Sequence, residues 1–336
     1  MQKLKYLNLN HLSESVLKRL AQNHVITILD FLQEDVQKLT TLTKLSLSEV
    51  LSVRNEIFAK FSAPIINGTT LLTRISETRT KINTGIPSLD TTLLGGIPVG
   101  YITELCGLAG SGKTQLSMQL AINCAKHDNN TILYIDTKGD FSAIRLQKIL
   151  DANGCSHKDM AEIMYKIRVV HIWTMEDLVE LFKSLKNNTL VIDHLALIIV
   201  DSLPCLMLQY IGDDNKIGLN LLNTLVNYSR FIGNKLNVGI IYINVQTRWI
   251  DNEVLDMEDE GDVPLREPAY IEKRNRCLGR YWQNIPAIVL LVEKLEDTST
   301  EIKDDGAQLK VTVINSNIAK NVNSHCILNI STFGVT

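Results

Sequence analysis

The sequence predicts an α/β fold built on a mostly parallel central sheet, preceded by a small all-helical N-terminal domain. Three observations predict it. Apolar residues recur at spacings of three and four as far as Phe61. Beyond Lys81 the texture changes to short β-branched runs separated by helical stretches, the pattern of strands alternating with helices. Between the two, Ala63-Pro64-Ile65-Ile66-Asn67-Gly68 interrupts both with proline and glycine.

The helical domain rests on Val16, Leu17, Leu20 and Ala21, then on Leu47, Val50, Leu51, Ile57 and Phe58. Ser13 and Ser48 are expected N-caps, and Asp30 and Asp35 bracket short turns. The expected division is a helical domain over 1–61, a linker over 62–80 and an α/β core over 81–336. Strands are expected at Tyr101 to Leu105, Thr131 to Asp136, Arg168 to Ile172, Ala196 to Asp201, Val238 to Asn244, Ala287 to Glu293, Leu309 to Asn315 and Ile327 to Ile330. Several are apolar throughout, which suits burial on both faces.

At 336 residues, 45% hydrophobic and 21% charged, the chain has ordinary globular composition, with room for one sizeable core and a satellite. No apolar run reaches the roughly 18 residues that cross a bilayer, and Leu195 to Met207 is interrupted by Asp201 and Pro204. No membrane role is expected. Met1 to Asn10 alternates Leu with Lys and Asn and lacks the features of a secretory signal, so an intracellular protein is expected. Cys106, Cys124, Cys155, Cys205, Cys277 and Cys326 are scattered without CxxC pairs, as reduced thiols are. With a formal charge of −3, contact with nucleic acid must come from a local patch.

Gly107-Leu108-Ala109-Gly110-Ser111-Gly112-Lys113-Thr114 fits GxxxxGK[ST] and falls between an expected strand and an expected helix, the context a P-loop requires. The glycines let successive backbone N–H groups face one concavity, which with the helix N-terminus cradles phosphates. Lys113 would meet the β and γ oxygens of ATP, and Thr114 would take one position on Mg²⁺. Leu197-Ile198-Ile199-Val200-Asp201 supplies the acidic metal partner at the end of a buried strand, Asp201. A lone Asp also ends many strands that bind nothing; the P-loop is what favours the metal.

Thr84-Gly85-Ile86-Pro87-Ser88-Leu89-Asp90, then Leu94-Gly95-Gly96-Ile97-Pro98, Gly100, Thr103-Glu104 and Lys113-Thr114-Gln115-Leu116 resemble the core signature of RecA-type recombinases. Within these the chain resembles the eukaryotic Rad51 family, and its D paralogues most. Phe61-Ser62-Ala63 with Asn67-Gly68, Asn244 with Thr247-Arg248, and Leu278-Gly279-Arg280 with Trp282 and Pro286 carry that likeness. The resemblance implies a RecA-type P-loop ATPase core and a place for Arg145 against the adenine ring, where a planar cation stacks well. A plain helix-surface Arg is the alternative.

The same resemblance implies an ATP-binding accessory subunit of homologous-recombination repair in the nucleus. It would sit in a heteromeric complex of sibling RecA-type paralogues and help a recombinase assemble on single-stranded DNA. Two departures from the family point to weak hydrolysis. Lys138 stands where hydrolysing members carry the Glu that activates water, and a protonated Lys cannot accept that proton. Asp140 or Asp136 would have to replace it, Asp136 reading more naturally as a strand-end acid. Val245 replaces the Gln that couples nucleotide to the DNA loop, with Gln246 on the other side of an extended chain.

The family's DNA loops correspond to Leu203 to Lys216, which carries Asp213 and Asp214, and to Thr247 to Arg280. In the second, Arg248, Lys273, Arg274, Arg276 and Arg280 are the candidate phosphate contacts, with Trp249 and Arg266 nearby and an acidic run from Asp251 to Asp262 between. A solvated excursion is the bland alternative. In the linker, Phe61-Ser62-Ala63-Pro64 departs from the Phe-x-x-Ala by which family filament formers dock, so long filaments of this chain alone are not expected. Its apolar residues would anchor a different neighbour or tie the helical domain to its own core. The rival readings are a self-sufficient strand-exchange ATPase, disfavoured by Lys138 and Val245, and an unrelated P-loop kinase, disfavoured by Thr84 to Gly100.

Overall fold

The structure, a computed structural model, describes residues 3–7, 9, 11–62, 66–77, 80–127, 129–210, 216–251, 271–295 and 306–336. The chain divides into two compact units, Met1–Thr73 and Arg74–Thr336.

The first unit carries helices α1 (Glu14–Gln22), α2 (Ile28–Gln33), α3 (Val36–Thr43) and α4 (Leu47–Phe61) around Leu20, Phe31, Leu39, Val50, Val53 and Ile57, all fully buried. Capping boxes start α2 at Thr27 and Asp30 and α4 at Ser46 and Glu49. The cap of α4 is therefore Ser46 and not Ser48, because only Ser46 has an acidic residue three places on to return the hydrogen bond. Within the expected linker, Gly68–Glu77 forms a helix, α5, started by Asn67, whose side-chain oxygen accepts the Thr70 N–H at 2.8 Å.

The second unit opens with β1 (Lys81–Ile82), α6 (Pro87–Thr92) and β2 (Ile97–Pro98), followed by β3 (Ile102–Cys106), α7 (Lys113–Lys126), β4 (Thr131–Asp136), α8 (Ala143–Ala152), α9 (His157–Lys166) and β5 (Ile167–His171). Next come α10 (Met175–Lys186), β6 (Leu195–Asp201), α11 (Leu203–Met207), α12 (Lys216–Leu236), β7 (Gly239–Ile243), β8 (Gln246–Asp251), β9 (Ile271–Arg276) and α13 (Gly279–Gln283). The chain closes with β10 (Ile288–Lys294), β11 (Ala307–Ser316), β12 (His325–Ser331) and β13 (Gly334–Val335).

Among the described residues nine strands form one sheet in the order β13-β12-β11-β10-β3-β7-β6-β4-β5. From β10 to β5 all neighbours are parallel, whereas β11, β12 and β13 add an antiparallel edge. Strands β3, β6 and β7 are buried along their whole length, as the apolar runs of β6 and β7 require when helices cover both faces, while β3 buries Thr103 and Glu104 among its apolar residues. One face packs on Leu116, Ala121, Leu146 and Ile149 of α7 and α8, the other on Leu178, Phe182, Leu225 and Ile232 of α10 and α12. The segments after β3, β4, β6 and β7 consequently leave the sheet at one edge, the carboxyl end of the parallel strands, where open α/β sheets place their ligands.

All eight expected strands are present. The β8–β9 ribbon is an addition: within Thr247 to Arg280, expected as a loop, two stretches pair as antiparallel strands with Arg248 opposite Arg274. Among the described residues no helix is long and apolar enough to cross a membrane.

Candidate nucleotide-binding site

The glycine-rich loop leaves β3 and passes so close to β10 that a Cβ on Gly107 would lie 2.2 Å from the Val292 carbonyl oxygen. Gly110 and Gly112 have φ of 74° and 89°, left-handed conformations that glycine adopts without strain. They turn the chain into α7, the long helix that starts at Lys113. Lys113 is buried and folds back over the loop, its Nζ donating to the carbonyls of Gly107 at 3.0 Å and Leu108 at 2.6 Å and to Ser111 Oγ at 3.2 Å. Burial, and then the charge of Lys138, lower its pKa to about 8 against the pull of Asp201.

Asp201 ends β6 and is almost wholly buried. Its Oδ2 accepts from Thr114 Oγ1 at 2.8 Å and from the Tyr134 hydroxyl at 2.9 Å. The Thr114 hydroxyl and this carboxylate are thus paired as magnesium ligands would have to be, and the cradle suits a phosphate chain. Lys138 shares the carboxylate, its Nζ 3.2 Å from Oδ1 and 2.9 Å from Asp140 Oδ2. Burial works against its charge, but Asp201 and Asp140 outweigh burial and hold the ammonium above its usual pKa. Lys138 is a cation here, not a proton acceptor.

Asp136 is the strand-end acid. Its Oδ1 accepts the N–H groups of Lys138 at 3.0 Å, Gly139 at 2.9 Å and Asp140 at 3.3 Å, and its Oδ2 accepts that of Phe141 at 3.0 Å. Burial would raise its pKa; the four amides overcome that and hold the carboxyl below its ordinary value. Both oxygens are spent on shaping the loop that presents Lys138.

Beyond β7, buried Asn244 donates from Nδ2 to Glu104 Oε1 at 2.8 Å and to the Cys277 carbonyl at 3.1 Å. The Gln246 N–H donates to the Gly107 carbonyl at 2.9 Å, so the base of the β8–β9 ribbon is hydrogen-bonded to the glycine-rich loop. Gln246 lines a cavity of about 660 Å³ together with Leu108 to Ser111, Arg248, Arg274 and Glu293. Sequence alternation separates Gln246 from Val245, and the structure adds that Gln246 faces the loop. Its signal was weak, because where a two-strand ribbon starts sets which side chain points inward.

Residues 76–255 match the family model described as Rad51. The chain belongs to the Rad51 family. It is similar to the "DNA repair protein RAD51 homolog 4" of Mus musculus, 26% identical over 294 residues that cover 86% of this chain and 84% of the relative. The protein of the same name from Bos taurus is 25% identical over the same shares. The "DNA repair and recombination protein RadA" of Aeropyrum pernix is 30% identical over 172 residues, 49% of this chain and 52% of that one.

In this Rad51-family chain Arg145 links two parts of the site. Its Nε donates to Gln115 Oε1 at 3.0 Å, next to Thr114, while Nη2 and Nη1 donate to the carbonyls of Ser331 at 2.6 Å and Thr332 at 3.3 Å. The guanidinium thus sits beside the first turn of α7, held by the β12–β13 turn.

The five basic candidates for DNA contact do not share one environment. Arg276 turns inward, with Nη1 2.8 Å from Oε2 of Glu104, which is fully buried and also accepts from Trp282 Nε1 at 3.0 Å. The side chain is engaged in an ion pair with that carboxylate, and leaving the buried acid unpartnered would be costly. Burial pushes the Glu104 carboxyl up, and Arg276, Asn244 and Trp282 draw it back only in part. Arg274 pairs with Glu293 at 2.9 Å, Arg248 lines the cavity, and Arg280 is exposed on α13. Lys273 lies in β9, but its side chain, like that of Trp249, is outside the described residues, as are Arg266, Asp213, Asp214 and 252–262 of the acidic run.

Proposed function

We propose that this Rad51-family chain is an ATP-binding accessory subunit of homologous-recombination DNA repair, held in a nuclear complex with sibling RecA-type paralogues and helping a recombinase assemble on single-stranded DNA. Relatives named for DNA repair and recombination support the process. The accessory role rests on one observation: the ammonium of Lys138 lies 3.2 Å from Oδ1 of Asp201. Hydrolysis needs a group that takes a proton from water, and a charged Lys has no acceptor site. ATP then serves chiefly to hold the core and its partner together.

In this reading Gly107 to Thr114 bind the phosphate chain, Lys113 releases its carbonyl partners to meet the β and γ oxygens, and Arg145 flanks the base. Mg²⁺, held by Thr114 and Asp201, would neutralise phosphate charge. Arg248, Lys273, Arg274 and Arg280 lie on or beside the ribbon, where backbone phosphates of single-stranded DNA would be met. Phe61 is exposed and offers the siblings an anchor, while Ala63 and Pro64 lie outside the described residues.

The test is to purify the chain and examine it with ATP and single-stranded DNA by electron microscopy, alongside mass spectrometry of its cellular complexes. Sibling paralogues should co-purify and regular filaments should be absent. Deleting residues 1–80 should release one sibling and spare another. Regular filaments of the chain alone would favour a self-sufficient recombinase instead.

A further inference from the structure

We propose that Tyr134 is a positioning residue for the metal acid: its hydroxyl keeps the Asp201 carboxylate in register with Thr114, so that losing it weakens the hold on Mg²⁺ and spares the phosphate cradle. The proposal rests on the reading that Thr114 and Asp201 hold Mg²⁺ beside bound ATP.

Strand β4 runs beside β6, with Tyr134 opposite Ile199, and the tyrosine is fully buried. Its ring packs on Phe141, centroids 4.7 Å apart, in the loop that Asp136 clamps. From this seat the hydroxyl donates to Asp201 Oδ2 at 2.9 Å and lies 2.8 Å from Ser117 Oγ of α7. Ser117 Oγ reaches the Thr114 carbonyl at 2.9 Å, and the Thr114 hydroxyl donates to the same Asp201 Oδ2 at 2.8 Å. A closed ring of contacts thus joins β4, β6 and the first turn of α7.

Counting protons in that ring assigns the roles. Ser117 and Tyr134 carry one hydroxyl proton each, whereas three contacts compete for them: Tyr134 with Asp201, Ser117 with the Thr114 carbonyl, and Ser117 with Tyr134. The carboxylate is the charged acceptor and makes the strongest bond, so it takes the tyrosine proton. Ser117 then serves the Thr114 carbonyl or the tyrosine oxygen and does not compete for Asp201. Burial, and then the charge of Asp201, push the Tyr134 pKa well above its ordinary value, which keeps the phenol a donor.

Asp201 needs this hold because it is pulled from its other side. The Lys138 ammonium lies 3.2 Å from Oδ1, and Tyr134 and Thr114 together grip Oδ2 against that pull. Partners of this kind orient a metal-binding carboxylate, and losing one typically weakens metal affinity about tenfold to a hundredfold.

The experiment measures the ATP affinity of the purified full chain by titration calorimetry, once in EDTA and once in saturating Mg²⁺, and reads the ratio of the two. Tyr134→Phe should lower that ratio about tenfold or more while its affinity in EDTA stays at the parent's level. Ser117→Ala should leave the ratio at or above the parent's, because Asp201 is then the sole acceptor in the ring for the tyrosine proton. Thermal unfolding checks that each variant is folded. A folded Tyr134→Phe variant that keeps the parent's ratio, or that loses affinity equally in both buffers, overturns the proposal. A lowered ratio in Ser117→Ala overturns it too, and this arm stands even where Tyr134→Phe does not fold. A parent whose affinity ignores Mg²⁺ overturns the metal reading and the proposal with it, and a parent that binds ATP in neither buffer overturns the nucleotide reading as well.

Discussion

Arg276 lies 2.8 Å from Glu104 across the junction between the β8–β9 ribbon and the central strand of the sheet, and the carboxylate it meets has no exposure to solvent. Removing one partner of such a pair strands a buried charge. Arg276→Ala should therefore cost about 3–5 kcal/mol of folding stability, read as a lower midpoint in urea. Pairing Arg276→Met with Glu104→Gln should recover much of it. If Arg276→Ala unfolds like the parent and only weakens binding to single-stranded DNA, the pair is not structural.

Lys113→Ala should weaken ATP binding by about tenfold to a hundredfold, the worth of one or two charge-assisted hydrogen bonds. Calorimetric titration reads this directly. The fold should survive, because the carbonyls of Gly107 and Leu108 that Lys113 now holds lie at a cleft that water can enter. A variant that binds Mg·ATP as tightly as the parent would remove the loop from consideration.

Turnover by the isolated chain should be slow, since lacking a positioned base typically costs about a hundredfold to ten-thousandfold. Lys138→Glu should raise it. Phosphate release by the parent, with and without single-stranded DNA, is the measurement. Fast turnover abolished by Asp140→Asn, with Lys138→Glu neutral, would assign the proton acceptor to Asp140.

The eight main strands could be read from sequence because each is a short run rich in apolar and β-branched residues, and the glycine-rich loop because its geometry is dictated by adjacent residues. Asp201 followed from the loop. The β8–β9 ribbon was hidden, since Arg-Trp-Ile-Asp and Glu-Lys-Arg-Asn-Arg have no apolar face to alternate. Position 138 could be identified as an anomaly, but its contact with Asp201 joins the ends of different strands and needed the sheet order. The inward turn of Arg276 was masked for the same reason: among five basic residues, only the fold reveals which one has a buried acid beneath it.

Asp136 should govern stability in acid. Its folded-state pKa lies below the ordinary 3.8, so the stability it confers is fully present above that value and is lost as pH falls through the folded value. Asp136→Asn should cost about 1.5–3 kcal/mol at neutral pH, the worth of charge-assisted bonds to the loop amides, and should flatten this part of the acid profile. Urea unfolding between neutral pH and pH 3 checks both. A variant as stable as the parent at neutral pH would show that the loop holds its shape without the clamp.

The strand that carries the glycine-rich loop sits between β7 and β10, with Thr103 paired to Ile241 on one side and Ile288 on the other. Both neighbours are made long after β3 during synthesis. The β3 segment must therefore wait, apolar and unpaired, while most of the core emerges, and contacts so distant in sequence slow the search for the native state. Such a nascent chain is open to aggregation for longer than one whose neighbours form in order. No ligand of the glycine-rich loop can shorten that wait, because the loop's cradle does not exist until the late strands have locked the early one in place.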